Sequence, residues 1–153
     1  MRMVVGSCFL IVGLVSLSPA QEVKFVKRHG VSLSENDYPQ KTPKECLDSV
    51  IKAIEMRKID YLLAHLADPD FIDDRARTIG FPEVVKEATA KLADDPGVIK
   101  ELKRFAREGE WDKGEEATSV RLKDNKFRII FLKKIKERWY MENRQKPAPP
   151  KDE

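Results

Sequence analysis

The sequence predicts an α+β domain in which N-terminal helices pack on a curved antiparallel sheet of three to four C-terminal strands. Three observations carry that expectation. From Thr42 to Gly109 apolar residues recur at helical spacing, in segments that stop and restart at Asp and Pro. Beyond Gly109 the period becomes two, with Thr118, Val120 and Leu122 on one side of a strand. Asp124-Asn125 then supplies a two-residue turn, because both residue types tolerate positive φ.

The elements follow in order. Residues 1–20 have the layout of a secretory signal peptide: Arg2, an apolar run from Met3 to Leu17, and Ser18-Pro19-Ala20 before the expected cut. The run is shorter than the roughly 20 apolar residues a spanning helix needs. Val5-Gly6-Ser7-Cys8 is a poor lipidation signal, since Cys8 precedes most of the apolar core. The chain is thus expected to be exported, periplasmic or secreted, with no stable membrane insertion after cleavage. Residues 21–41 read as a flexible tether, with Val23, Phe25 and Val26 as a short edge strand.

Residues 42–144 form the single domain. Thr42-Pro43-Lys44-Glu45 is a capping box with proline at the first helical position, and Cys46, Leu47, Val50, Ile51 and Ile54 make the apolar stripe behind it. Asp60 is the expected cap of a second segment, YLLAHLA, which stops at Asp68-Pro69. Asp70 then caps a short helix from Phe71 to Ile79. Phe81-Pro82 opens a helix carrying Val84, Val85, Ala88 and Leu92, and Asp95-Pro96 caps another that ends near Gly109.

In the hairpin, folding at Asp124-Asn125 puts Leu122 opposite Phe127, Val120 opposite Ile129 and Thr118 opposite Phe131. Ile130 and Leu132 then fall on a second face, which is either partly covered or meets another subunit in a homodimer. A third strand spans Arg138 to Arg144, with Trp139 and Met141 on its core face. Residues 145–153, QKPAPPKDE, hold too little apolar surface to fold and read as a disordered, proline-rich tail.

The stretch TPKECLDSVIKAIEMRKIDYLLAHLADPDF, with the closing EATSVRLKDNKFRIIFLKKIKERWYMENRQ, resembles small exported members of the nuclear-transport-factor-two-like, or SnoaL-like, superfamily. The resemblance implies a sheet wrapped by helices into a cone, often with an internal pocket, and dimerisation through the sheet. It transfers no catalytic residue: no motif here matches the acids and histidines that catalytic members place in the cone. Residues 82–108 also read as helix where such proteins often have further strands.

Charge and residue chemistry set the candidate sites. Residues 21–120 carry 17 Lys/Arg against 21 Asp/Glu, a net −4, and residues 121–146 carry 10 against 3, a net +7. Arg121, Lys126, Arg128, Lys133, Lys134 and Arg138 are therefore the candidate polyanion-binding set. Export, and a Trp139 turned to the core, exclude nucleic acid as the partner. Tyr61, His65 and Asp68, with Trp139, are the candidate ligand-binding set, since Tyr, His and Asp at a pocket mouth can move a proton. The plainer assignment for His65 is a half-buried ring bonded to a carbonyl. Asp68, Asp70, Asp73 and Asp74 cluster but lack the glycine and terminal glutamate of a calcium loop, so no metal is expected. Glu83 and Glu87 read as surface residues, Glu87 pairing with Lys91. Cys46, the one cysteine after Ala20, cannot form an internal disulfide and reads as a buried apolar residue. No cofactor motif is present. The expected role is a non-catalytic binding or interaction module. The alternatives are an isomerase- or hydrolase-like pocket enzyme and a binder of anionic envelope polymers.

Overall fold

The computed structural model describes residues 26–112, 114–124 and 128–144. The signal peptide, Val23 and Phe25, the Asp124-Asn125 turn with Phe127, Lys126 and the tail are wholly or partly outside those residues. Helices precede the main sheet along the chain, and the fold is α+β as the sequence predicts.

From Val26 onward the expected tether is instead built into the fold. Strands β1 (Lys27–Arg28) and β2 (Val31–Ser32) form a hairpin. His29 and Gly30 turn it, at φ 51° and 83°, the pair of positive values a two-residue hairpin favours. The Arg28 guanidinium clamps the hairpin down by donating to Ala64 O and Pro69 O, both at 2.7 Å, and to Asp73 at 2.6 Å. The His29 ring stacks on Phe81, with centroids 4.3 Å apart. Tyr38 and Gln40 are buried.

Helix α1 (Pro43–Glu55) starts at the expected capping box: Glu45 N donates to Thr42 Oγ1, and Thr42 N to Glu45 Oε2 at 3.1 Å. Its apolar stripe, Cys46 to Ile54, is buried. Helix α2 (Ile59–Tyr61) runs straight into a π-helical turn, Leu62–Leu66, closed by Ala67 N donating to Leu62 O at 2.9 Å. Asp60 lies inside the first turn of α2, and no side chain caps that helix. The cap expected from Asp70 belongs to Asp68, which accepts from Asp70 N at the start of α3 (Pro69–Ile79). Gly80 separates α3 from α4 (Phe81–Asp94), and α5 (Val98–Glu108) completes the helices.

The main sheet is antiparallel throughout, in the order β3 (Glu110–Asp112), β4 (Ala117–Arg121), β5 (Ile129–Ile135), β6 (Arg138–Glu142). Lys136, at φ 56°, makes the β5–β6 turn without a glycine, and Ile135 pairs with Arg138.

The β4–β5 register differs from expectation by one residue. Val120 pairs with Ile130 and Thr118 with Leu132, not with Ile129 and Phe131. A one-residue slip turns every side chain of a strand over. Leu132 is therefore fully buried against Cys46 and Trp139, and Ile130 packs beside it. Of the two expectations for this face it is the covered one that fits: Leu132 is turned inward and is not available to a dimer face, and Ile129 and Phe131 take the outer positions. Because β5 is apolar on both faces, alternation alone could not choose the register. The fit of Leu132 between α1 and Trp139 chooses it.

The inner face packs Val120, Leu122, Ile130 and Met141 against a core shared with α1, α2 and α5. Backbone covers the β6 edge: Asp68 N donates to Met141 O, and Trp139 N to Gln40 O, both at 2.9 Å. Among the described residues, no helix is long and apolar enough to cross a membrane.

Candidate functional site

Tyr61, His65 and Asp68 do not form a pocket mouth. Tyr61 is 5% exposed; its hydroxyl accepts from Ser34 N at 3.1 Å and donates to Ser34 O at 3.2 Å. His65 is 2% exposed and donates from Nε2 to Val31 O at 2.9 Å, which fixes the tautomer. The two rings lie 4.9 Å apart and hold the β1–β2 hairpin on α2. Asp68 caps α3 and pairs with Lys133 Nζ at 2.7 Å. Each group is spent on a structural bond.

Burial pushes the His65 pKa below its usual value despite the Val31 bond, and the charges of Arg138, Arg28 and His29 add to the depression. His65 is therefore neutral in the fold, whereas the unfolded chain takes up its proton below about pH 6.5. Its contribution is complete above that value and is lost as pH falls. The urea midpoint is expected to drop between pH 7 and pH 5, with a flatter slope in a His65→Gln chain. Equal slopes would remove His65 as the cause.

An open site lies elsewhere, between the N-terminus of α1 and the inner face of the sheet. Thr42, Pro43 and Lys44 form one wall of a crevice of about 390 Å³, and Trp111 and Thr118 of the sheet face them with Trp139. Both tryptophans of the chain meet there. The floor is apolar: Cys46 and Leu132 pack beneath Trp139. Burial raises the Cys46 thiol to about 12, so it is a packing group and not a nucleophile at neutral pH.

Trp139 brings a polar group to this lining beside Thr42, Lys44 and Thr118. Only 5% of it is exposed, and its indole N–H donates to no group among the described residues. Among the described residues, the side-chain nitrogens and oxygens sealed without a hydrogen bond are Arg138 Nε and Glu142 Oε2, which have ion partners in Glu35 and Arg144. Trp139 Nε1 is not sealed, so the residual exposure of this ring includes its donor. Trp139 lines the crevice, and a nearly buried N–H without a partner among the described residues is an unfilled hydrogen-bonding position. The sequence marked Trp139 as a candidate but gave no sign of Trp111, whose three-residue strand is too short for a period to register.

The candidate polyanion strip is dispersed by its own carboxylates. Arg121 lies 3.9 Å from Glu110, Lys134 3.9 Å from Glu137 and Arg138 3.6 Å from Glu35. Lys133 is held between Asp68 and Asp70, and Arg128 faces Glu101 and Asp95. Lys126 lies outside the described residues. The acidic cluster is likewise divided, with Asp73 on Arg28 and His29, and Asp74 on Arg77. Among the described residues no group of three His, Cys, Asp or Glu side chains gathers to hold a metal ion. Glu87 pairs with Arg75 and not with Lys91.

Comparison of the chain with protein-family models, curated proteins and solved structures finds no match.

Proposed function

We propose that this protein is an exported binding module of nuclear-transport-factor-two-like architecture. Its ligand sits in the crevice between α1 and the inner face of the sheet. The observation that carries the reading is Trp139, 5% exposed and with no partner for its indole N–H among the described residues, in a crevice lined by both tryptophans. Such a site favours an apolar ligand, ideally a ring that lies against indole, with one carbonyl acceptor for the N–H. The helices-first order and the sheet packed on α1 support the superfamily assignment. The buried, hydrogen-bonded Tyr61 and His65 favour binding over proton transfer.

The test is nuclear magnetic resonance titration with N-methylpyrrolidone, a small cyclic tertiary amide. The Trp139 indole N–H resonance is expected to move saturably, and a Trp139→Phe chain, which keeps an aromatic ring and loses the donor, is expected to bind more weakly. A panel of apolar carbonyl compounds that leaves that resonance still would overturn the proposal.

A further inference from the structure

We infer that residues 26–33 are an acid-operated lid: the β1–β2 hairpin docks over His65 at neutral pH and lifts from it in mild acid, while the helices and the main sheet stay folded. The two strands of the hairpin bond to each other. Among the described residues, no backbone–backbone hydrogen bond joins residues 26–33 to the helices or to the main sheet. Side chains fasten the hairpin instead. Arg28 reaches Ala64 O, Pro69 O and Asp73, and His29 meets Asp73 and the Phe81 ring. Val31 packs on the core and its carbonyl accepts from His65. Glu35, Asn36 and Asp37 are exposed ahead of the buried Tyr38, which gives the lid a hinge.

Both histidines of the chain touch this hairpin, His29 in its turn and His65 beneath it. His65 already gives its Nε2–H to Val31 O, so an acquired proton goes to Nδ1. The charges that bear on the ring are cationic: Arg28 and His29 from the hairpin, and Arg138 from β6. The carboxylates of neighbouring segments are engaged, Asp73 with Arg28 and His29, Glu35 with Arg138, and Asp68 and Asp70 with Lys133. Asp60 is exposed, and α1, packed on the same π-helical turn, buries no charged residue. The Tyr61 hydroxyl is committed to Ser34 O. A protonated His65 beneath the docked hairpin is thus a buried charge among like charges, and lifting the hairpin hands it to water.

Burial and those cations keep the docked ring neutral, so the docked state binds fewer protons than the lifted one. Docking is strongest above about pH 6.5, and its equilibrium constant falls by up to about tenfold per pH unit below that, up to about thirtyfold by pH 5. Asp73 does not follow. Against the effect of burial, the hydrogen bonds and charges of Arg28 and His29 hold its carboxyl below the usual value, so it stays ionised over this range. A protonated His29 ring still donates to it. Acid leaves the other fastenings in place, and His65 works against them.

The experiment follows the chain from Gln21, which contains every described residue, by nuclear magnetic resonance from pH 7.5 to pH 5. Cross-peaks between the His29 and Phe81 rings report the docked hairpin, and those between Trp139 and Leu132 report the core. The hairpin cross-peaks are expected to fade with the midpoint at which the His65 ring titrates, while the core cross-peaks persist. A His65→Gln chain, whose amide can donate to Val31 O and takes up no proton, is expected to keep the hairpin cross-peaks at pH 5. A Phe81→Ala chain loosens the lid without changing any charge. Its His65 midpoint is expected to rise towards about 6.5, because a weaker lid opposes the proton less. This variant serves equally if His65→Gln fails to fold. Hairpin cross-peaks that persist at pH 5, or that fade at the same pH in the His65→Gln chain, would overturn the inference. Joint loss of the hairpin and core cross-peaks would replace the lid with general acid unfolding. An unchanged His65 midpoint in the Phe81→Ala chain would show that the ring titrates without moving the hairpin.

Discussion

Replacing Gln40 with leucine is expected to destabilise the domain by about 3 kcal/mol, because two buried carbonyls lose the side-chain donor they share. Gln40 is 3% exposed. Its Nε2 donates to His65 O at 2.9 Å and to Trp139 O at 2.7 Å, and its Oε1 accepts from Arg138. Three partners leave the amide one consistent orientation, nitrogen towards the two carbonyls. Leucine fills a similar volume, so the loss is one of hydrogen bonding and not of packing. It leaves the His65 and Trp139 carbonyls without this donor and takes from Arg138 the oxygen beside it. The cost is large because these acceptors belong to different parts of the fold: the π-helical turn, and the edge of β6 that the Gln40 backbone also covers. Urea unfolding should show a lower midpoint with an unchanged slope. A shift below about 0.5 kcal/mol would mean that water replaces the amide and that the edge of β6 is not sealed there.

Gln40 also shows where sequence reading stops. It lies in the polar stretch between residues 28 and 41, which lacks a period and therefore reads as a tether. Its partners stand 25 and 99 residues away, and no local pattern encodes them. The capping box at Thr42 was legible because its bonds close within three residues. The helix order and the change of period beyond Gly109 were legible for the same reason, since both are repeats within a window. The β4–β5 register was not legible, because FRIIFL satisfies either face and the choice belongs to Cys46 and Trp139 across the core. The site divides in the same way. Residue type and spacing put Tyr61 and His65 together correctly, as the 4.9 Å ring contact shows. Whether they face solvent depends on the β1–β2 hairpin, whose residues give no period to read. Trp111 joins Trp139 only through the sheet order β3-β4-β5-β6.

A Gly109→Ala chain is expected to lose about 3 kcal/mol, for steric reasons alone. Gly109 links α5 to β3 at φ −68° and ψ 140°, a conformation any residue adopts, so backbone strain plays no part. Alanine at such a position would ordinarily gain a few tenths of a kcal/mol to about 1 kcal/mol by restricting the unfolded chain. Here an added methyl carbon would fall far inside van der Waals contact with Phe105 O and Val120 Cγ2. Phe105 O cannot retreat easily, because it accepts the Gly109 N–H at 3.1 Å and belongs to the last turns of α5. Val120 is fully buried and pairs with Trp111 across β3 and β4. The junction must therefore open between α5 and the sheet, and Trp111 moves with it. The expected signature is a lower unfolding midpoint together with red-shifted tryptophan emission from the folded state. Adding Val120→Ala removes one of the two collisions, so the double variant should lose less than the sum of the single losses. Strict additivity, or a Gly109→Ala chain with the parent midpoint and emission, would show that the α5–β3 junction yields without effect. Trp111 would then not be held in the crevice by the packing of Gly109 on Val120.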